Sequence, residues 1–251
     1  MIGALWGGLV DLLLPRHCVV SGRPLLTDES GCVAPELLRQ ARLTGADYCS
    51  RCGAIQGPGV GVTHGCGRCV EFREGFGTSE ICSVGDYDGV LRELCIALKF
   101  NGERAAAAPL SQYLIQQVFD RGFGAKVDAV VPVPLHALRQ WKRGYNQSAL
   151  LAAPVAVALG KPCLEYALKR KRQTLSQSEL SAAQRKANVE GAFELRTGMA
   201  DKIEGKTLLL VDDVMTTGAT LAQAARELKK GGAKAVFAGV IARSMVGSDQ
   251  F

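Results

Sequence analysis

The segment Val211-Asp212-Asp213-Val214-Met215-Thr216-Thr217-Gly218-Ala219-Thr220 holds the densest set of groups able to do chemistry in this sequence. The apolar run Lys206 to Val211 reads as a buried strand that ends in two adjacent carboxylates. It then passes through a hydroxyl- and glycine-rich turn into a helix over Ala219 to Lys230, closed by Gly231-Gly232. Backbone N–H groups at such a helix start, joined by the threonine hydroxyls, form a site for a phosphate, and Gly218 permits close backbone approach. Two carboxylates beside a phosphate cradle repel each other unless they bind hydroxyls or a cation, and a ribose diol with Mg²⁺ nearby satisfies them. The plainer alternative, a strand–turn–helix in which Asp212 and Thr216 are only caps, does not explain the whole set. Neither Gly-x4-Gly-Lys-[Ser/Thr] nor a strand-borne Gly-x-Gly-x-x-Gly occurs, and no serine nucleophile elbow is present. ATP hydrolysis and dinucleotide binding lose support accordingly.

A second constellation is Cys49-x2-Cys52 followed, after thirteen residues, by Cys66-x2-Cys69. Two residues between ligands let one tight turn aim both thiolates at a single metal, with Gly53 and Gly67 allowing the turn, and this is the pattern of a tetrahedral zinc site. Four thiolates leave no open position, so the zinc is expected to be structural; the alternative is four unrelated buried thiols. Upstream, Cys18-x2-Ser21 and Cys32-x2-Pro35 resemble a second pair of knuckles, each lacking its second cysteine. Two thiolates are too few for a stable site unless Asp28, His17 or His64 completes the set. This half is expected to be metal-free and held by packing, with His64 a loop residue and one zinc per chain. Cys82, Cys95 and Cys163 sit in apolar surroundings and read as core.

These groups need elements to hold them. The 251 residues are 47% hydrophobic and 22% charged, an ordinary globular composition that argues against disorder, collagen or a coiled coil. The chain divides near residue 75. The part before it is short, turn-rich and unable to bury a sufficient core, so it needs a staple such as a metal. After it, Gly89 to Phe100, Ala105 to Phe119 and Ser148 to Leu159 carry helical patterns, the last interrupted by Pro154. Val127 to Val133 and Lys234 to Ile241 are apolar strands. Strand–helix–strand order with continuously apolar strands implies an α/β fold, a parallel sheet covered on both faces.

The net charge of +6 is unevenly spread. Residues 1–75 balance, whereas His136 to Glu190 carries ten Lys/Arg against three Glu, which suggests a localised anionic ligand. Met1 to Leu14 is broken by Asp11 and lacks the basic start of a secretory signal, so it is expected to be an amphipathic helix. No run is long and apolar enough to span a membrane, and a cytoplasmic location is expected.

Val211 to Thr220 resembles the phosphoribosyl-pyrophosphate (PRPP) signature of type I phosphoribosyltransferases. With the knuckles, the whole chain resembles the ComF family of competence-associated, phosphoribosyltransferase-like proteins with an amino-terminal double zinc ribbon. Other segments carrying the resemblance are Tyr87-Asp88-Gly89 through Leu98-Lys99-Phe100, Val131 to His136, Arg143-Gly144-Tyr145-Asn146-Gln147-Ser148 and Arg185 to Val189. The departure is the degenerate first knuckle pair, which puts a second metal in doubt.

The resemblance implies two domains, a helix and partly degenerate double ribbon over 1–75 and a phosphoribosyltransferase-like domain over 76–251. It gives Asp212 and Asp213 the ribose hydroxyls, and Thr216, Thr217, Gly218, Ala219 and Thr220 the 5′-phosphate. Val133, Pro134, Leu135 and His136 would receive pyrophosphate, with Arg139, Lys142 and Arg143 neutralising it on departure; a solvated helix face is the alternative for these cations. His136 reads either as a general acid/base or as a hydrogen-bonded loop histidine. Lys169 to Arg172, running on to Arg185, reads as a hood over PRPP, as a contact for nucleic-acid phosphates, or as a solvated basic run. PRPP with Mg²⁺, single-stranded DNA and competence proteins are the implied partners. Three functions stay open: pentosyl transfer to an unidentified acceptor, non-catalytic PRPP or nucleotide binding, and single-stranded DNA handling.

Overall fold

The computed structural model describes residues 16–26, 29, 31–57, 66, 69, 75–172 and 190–244. The expected helix over 1–14, Asp28, His64, Gly67 and the 173–189 stretch with Arg185 lie outside them.

In chain order the elements are α1 (Pro35–Leu38), β1 (Ile81–Asp86), α2 (Gly89–Phe100), α3 (Ala107–Asp120), β2 (Ala129–Pro132), α4 (Ala137–Arg143), α5 (Gln147–Leu159), β3 (Leu168–Arg170), β4 (Phe193–Leu195), α6 (Ala200–Ile203), β5 (Thr207–Met215), α7 (Ala219–Lys230) and β6 (Ala235–Arg243). β1, β6, β5 and β2 form a parallel sheet in that order, and β3 and β4 form a separate antiparallel pair.

Apolar residues on both sides of each strand build a core on each face. Leu209, Val211, Phe237 and Ile241 pack with the buried stripes of α2, α3 and α5. Leu208, Leu210, Val236, Ala238 and Val240 pack with Leu221, Ala224, Ala225 and Leu228 of α7. That period-two division is what a sheet covered on both faces requires. α5 runs through Pro154, held by the burial of Leu151, Ala152, Val155 and Ala156 and started by the Asn146 side chain, which accepts from the Ser148 N–H.

The amino-terminal segment joins both cores. Cys18, Leu25, Val33 and Ala34 pack with the α2/α3 layer, whereas Cys49, Cys52, Cys66, Cys69, Ala54 and Phe76 pack with the α7 layer. The region of the degenerate knuckles is cross-linked by charge, with Arg23 2.6 Å from Glu29 and 2.7 Å from Glu36. The Cys18 sulfur accepts from the Ala34 N–H at 3.3 Å.

Four elements differ from the sequence reading. β1 has no strong β-forming run (Ile-Cys-Ser-Val-Gly-Asp) and owes its place to pairing with β6. β2 covers only Ala129–Pro132 of the expected strand. β3 falls inside the basic run, where Leu168 is buried and Lys169 and Arg170 continue a strand instead of a loop. β5 runs on to Met215, so the carboxylates lie within the strand and not after it.

Candidate functional site

The strand extension decides the geometry. β2 ends with Pro132 opposite Val211, so from Asp212 to Met215 the β5 ladder is paired only with β6. α5, which follows β2 and the exposed α4, packs on one face of the sheet, and α7, which follows β5, on the other. A crevice between strand ends at such a switch point is where open α/β sheets place ligands. The loop from Val133 to His136 borders it. The Val133 N–H donates to the Val211 carbonyl at 2.9 Å, and the Asn146 amide donates to the Val133 carbonyl at 3.0 Å. His136 caps α4, its Nδ1 accepting from the Leu138 N–H at 3.3 Å. Pro134 is buried, and Leu135, His136, Arg139 and Arg143 are half-buried.

Both acids are nearly enclosed, Asp212 at 7% and Asp213 at 3% exposure. Asp212 Oδ1 accepts from Ser148 Oγ and from the Asp213 N–H, both at 2.9 Å. Burial pushes its carboxyl up to about 7, aided by the charge on Asp213 and opposed by Lys99 and the Ser148 hydrogen bond. Asp213 is ion-paired with Lys99, Nζ to Oδ2 at 2.8 Å. Burial alone would lower the Lys99 ammonium, but the charge and hydrogen bond of Asp213, together with the charge of Asp212, outweigh it and lift it.

Three guanidinium groups share this field. Burial lowers Arg143, against the pull of Asp213, and burial likewise lowers Arg170, aided by Arg139 and against the pull of Asp212. Arg170 reaches the site because β3 bridges to His136. The basic run is thereby sorted: Arg170 turns inward, while Lys169 and Lys171 both pair with Glu194, at 3.1 and 2.8 Å. Lys142 is exposed.

The turn beneath is tightly built. Gly218 has φ +76°, and a Cβ there would overlap the Phe76 ring and lie 2.6 Å from Met215 Cε, so only glycine fits. Thr217 is 2% exposed, while Thr216 and Thr220 are half-buried. The Ala219 N–H reaches Thr217 Oγ1 at 3.5 Å. Among the described residues, neither the Thr217 nor the Gly218 N–H has a hydrogen-bond acceptor. Buried backbone donors are rarely left in this way, and two together at a helix start suit an anion.

Cys49, Cys52, Cys66 and Cys69 are all buried, with their sulfur atoms within 4.8 Å of one another. Individual separations are 3.5 Å (Cys52–Cys66), 3.8 Å (Cys49–Cys69) and 3.9 Å (Cys66–Cys69). Sulfurs about 2.3 Å from a tetrahedral zinc stand about 3.8 Å apart, so the four cysteines fit a metal such as zinc. The hydrogen bond with Cys52 holds the Cys49 thiol down, as sharing one proton between two close thiols requires.

Sequence reasoning missed Lys99, Ser148 and Arg243 as site residues. Lys99 had a signal, since it continues the buried stripe of α2 four residues beyond Cys95. Arg243 ends an apolar strand at the sheet edge where ligands gather. Ser148 gave none, being an ordinary first-turn residue of α5.

Residues 106–249 match the family model described as phosphoribosyl transferase domain. The "DNA utilization protein YhgH" of Salmonella typhimurium is 34% identical over 93% of this chain and 100% of its own length. "Competence protein F" of Haemophilus influenzae is 32% identical over 82% of this chain and 88% of its own. Among solved structures, a purine phosphoribosyltransferase from Pyrococcus horikoshii Ot3 covers 57% of this chain and 90% of that one, at 17% identity and a TM-score of 0.33. No helix among the described residues is long and apolar enough to cross a membrane.

Proposed function

This chain belongs to the ComF family of phosphoribosyltransferase-domain proteins, and we propose from that premise that the β5–α7 crevice binds PRPP, or a related 5-phosphorylated ribose, with Mg²⁺. The observation that carries this reading is the pair of acceptor-free amides at Thr217 and Gly218 directly below two buried carboxylates. The 5′-phosphate takes the amides with the hydroxyls of Thr216, Thr217 and Thr220. Asp212 and Asp213 accept from the ribose hydroxyls, which replace Ser148 and Lys99 as their partners. Arg139, Arg143 and Arg170, with the Val133–His136 loop, hold the pyrophosphate. Mg²⁺ is commonly held by one or two carboxylates together with substrate phosphates, and supplies charge neutralisation there. With Asp212 half-protonated near neutral pH and Asp213 paired, the acids suit hydroxyls first, and Asp213 is the carboxylate free to turn to the ion once Lys99 releases it.

If the site turns over, the anomeric C–O bond breaks with its electron pair leaving on pyrophosphate, and a nitrogen acceptor closes the new bond. This chain's part is to position the sugar and stabilise the departing charge. Calorimetric titration with PRPP and Mg²⁺ tests the reading. Saturable binding is expected, lost in the Asp212→Asn/Asp213→Asn double variant; absence of binding to the wild-type protein sinks it. Release of pyrophosphate in the presence of candidate nitrogenous acceptors separates transfer from binding alone.

A second reading, contact with single-stranded DNA in a role like the DNA utilization or competence named for the relatives, draws on α4. Trp141 is 81% exposed there, beside exposed Lys142, and an open aromatic next to a cation is a stacking platform for bases. The pairing of Lys169 and Lys171 with Glu194 weakens the basic run as that contact. Quenching of Trp141 fluorescence by oligothymidylate, steeply reduced by salt, is the expected result.

A further inference from the structure

A cleft of about 430 Å³ runs along α7 and shares no residue with the acid crevice. Gly75, Gly77, Ala222, Arg226, Lys229 and Lys230 line it, so every charged side chain in its wall is cationic. Lys230 pairs with Glu227 at 2.6 Å, whereas the Arg226 and Lys229 side chains have no ion pair or hydrogen bond among the described residues. Arg51 adds a cation at the rim, its Nη2 3.9 Å from the point where a Cβ on Gly75 would stand. Lysines in the last turn offset the negative end of a helix, which accounts for Lys229 and Lys230. It does not account for Arg226, about a turn earlier, or for the hollow beside it.

The wall facing α7 supplies donors of another kind. Gly75 and Gly77 hold φ at +71° and +69°, and neither backbone N–H has an acceptor among the described residues. Successive amides around left-handed residues form concavities that bind anions. Gly77 also sits close against α7, where a Cβ would stand 3.5 Å from the Ala222 carbonyl and 3.6 Å from Ala225 Cβ. No aromatic side chain lines the cleft, so bases find no stacking platform there. Its stretch of α7, Ala222 to Lys230, is only about 12 Å long, short for a groove that tracks several nucleotides. Unpaired cations and open amides with no carboxylate among them suit a compact, multiply charged anion, and a guanidinium fork matches phosphate oxygens in pairs. We propose that this cleft binds a short chain of phosphates, such as the diphosphate or triphosphate end of a nucleotide, at a place separate from the β5–α7 crevice.

Inorganic triphosphate, titrated by calorimetry into the full-length protein, is the probe. Arg226→Gln/Lys229→Gln removes the two unpaired cations and is expected to weaken its binding about tenfold or more. Lys202→Gln/Lys234→Gln removes the same charge at exposed positions elsewhere and is expected to leave binding within about twofold of wild type. All four side chains are exposed, so melting temperatures close to wild type are expected. No uptake of triphosphate by the wild type at millimolar concentration overturns the proposal. An equal loss in both double variants also overturns it, by reducing the effect to net charge. Tighter binding of oligothymidylate than of triphosphate, lost in the same Arg226 and Lys229 variant, overturns the ligand class in favour of a nucleic-acid backbone. The PRPP titration keeps the two sites apart. Arg226→Gln/Lys229→Gln is expected to bind PRPP as the wild type does, and joint loss of PRPP and triphosphate overturns the separation. A wild type that ignores PRPP but shows the triphosphate loss defeats the crevice reading and leaves this cleft standing.

Discussion

The four cysteines come from two short stretches, 49–52 and 66–69, and their sulfur atoms already stand at tetrahedral spacing, whereas the acid site draws on every layer of the fold. Lys99 comes from α2, Arg143 from α4, Ser148 from α5, Arg170 from β3, the acids from β5 and Arg243 from β6. The first is a closed cluster of four buried thiols that fits a metal such as zinc and leaves no position open. The second has internal partners for both acids, Lys99 on Asp213 and Ser148 on Asp212, which under the proposed function a ligand displaces. A site that only binds a metal can be finished in advance, while a site that exchanges ligands keeps its charges satisfied between visits at some expense in stability. The two regions meet at Phe76, which shares a core with the four cysteines and lies against Gly218 of the turn.

Removing the metal is the hardest test of that contrast. Structural zinc contributes about 10–16 kcal/mol in isolated zinc-finger peptides, and part of that is expected here because the four thiols are the staple of their segment. Chelation, or Cys52→Ser, is expected to break up the four-cysteine cluster and to lower the melting temperature of the whole protein by roughly 10 °C or more in calorimetry. A small shift confined to the amino-terminal segment would show that the regions are separable. Gly218→Ala comes next. It puts a Cβ into Phe76 and Met215 at φ +76° and is expected to cost about 2–4 kcal/mol in denaturant unfolding. Adding Phe76→Ala should recover the part due to the overlap and none of the part due to the dihedral angle.

Lys99→Met probes the partner of Asp213 directly. It leaves Asp213 buried without its cation, and with Lys99 27% exposed the expected loss is about 1–3 kcal/mol, below that for a fully buried pair. If Lys99 only closes the site between ligands, the variant should also bind PRPP no more weakly than wild type. A severe loss of binding would instead put Lys99 among the ligand's own contacts.

How much of this was legible in the sequence follows the same division. Cys-x2-Cys spacing encodes a geometry within a few residues, so the four-cysteine cluster could be read from the chain alone. The parallel sheet was legible because apolar runs such as Leu208–Val211 have few other places to go. β1 was not, since Ser83 and Gly85 carry no strand signal and Gly85 is required because a Cβ would meet the Arg42 carbonyl of the amino-terminal segment. The acids and the turn were visible as a local motif, but their partners were not. Which helix brings a lysine or a serine to a given carboxylate is a property of the assembled layers, as Lys99 and Ser148 show. The basic run 169–172 misled for a related reason: alternation along β3 separates Arg170 from its neighbours, and charge counting ignores it.

The remaining effect runs in the opposite direction to the others and vanishes toward acid pH. Asp212 ionises near 3.8 when unfolded and near 7 when folded. Between those values the folded state binds the extra proton, so this group's contribution falls as pH rises from about 4 to about 7 and is constant above. Asparagine keeps the oxygen that accepts from Ser148 and from the Asp213 N–H but has no charge to bury. Asp212→Asn is therefore expected to be more stable than wild type by about 1–3 kcal/mol at pH 8, with the gain shrinking toward zero near pH 4. Thermal melts across that range give the profile. A variant that gains stability above neutral pH while losing PRPP binding would identify Asp212 as a group kept for its ligand against the interest of the fold. A flat or inverted profile would mean that the carboxylate is already well solvated, and with it the contrast between a finished site and a waiting one would fail at its most exposed point.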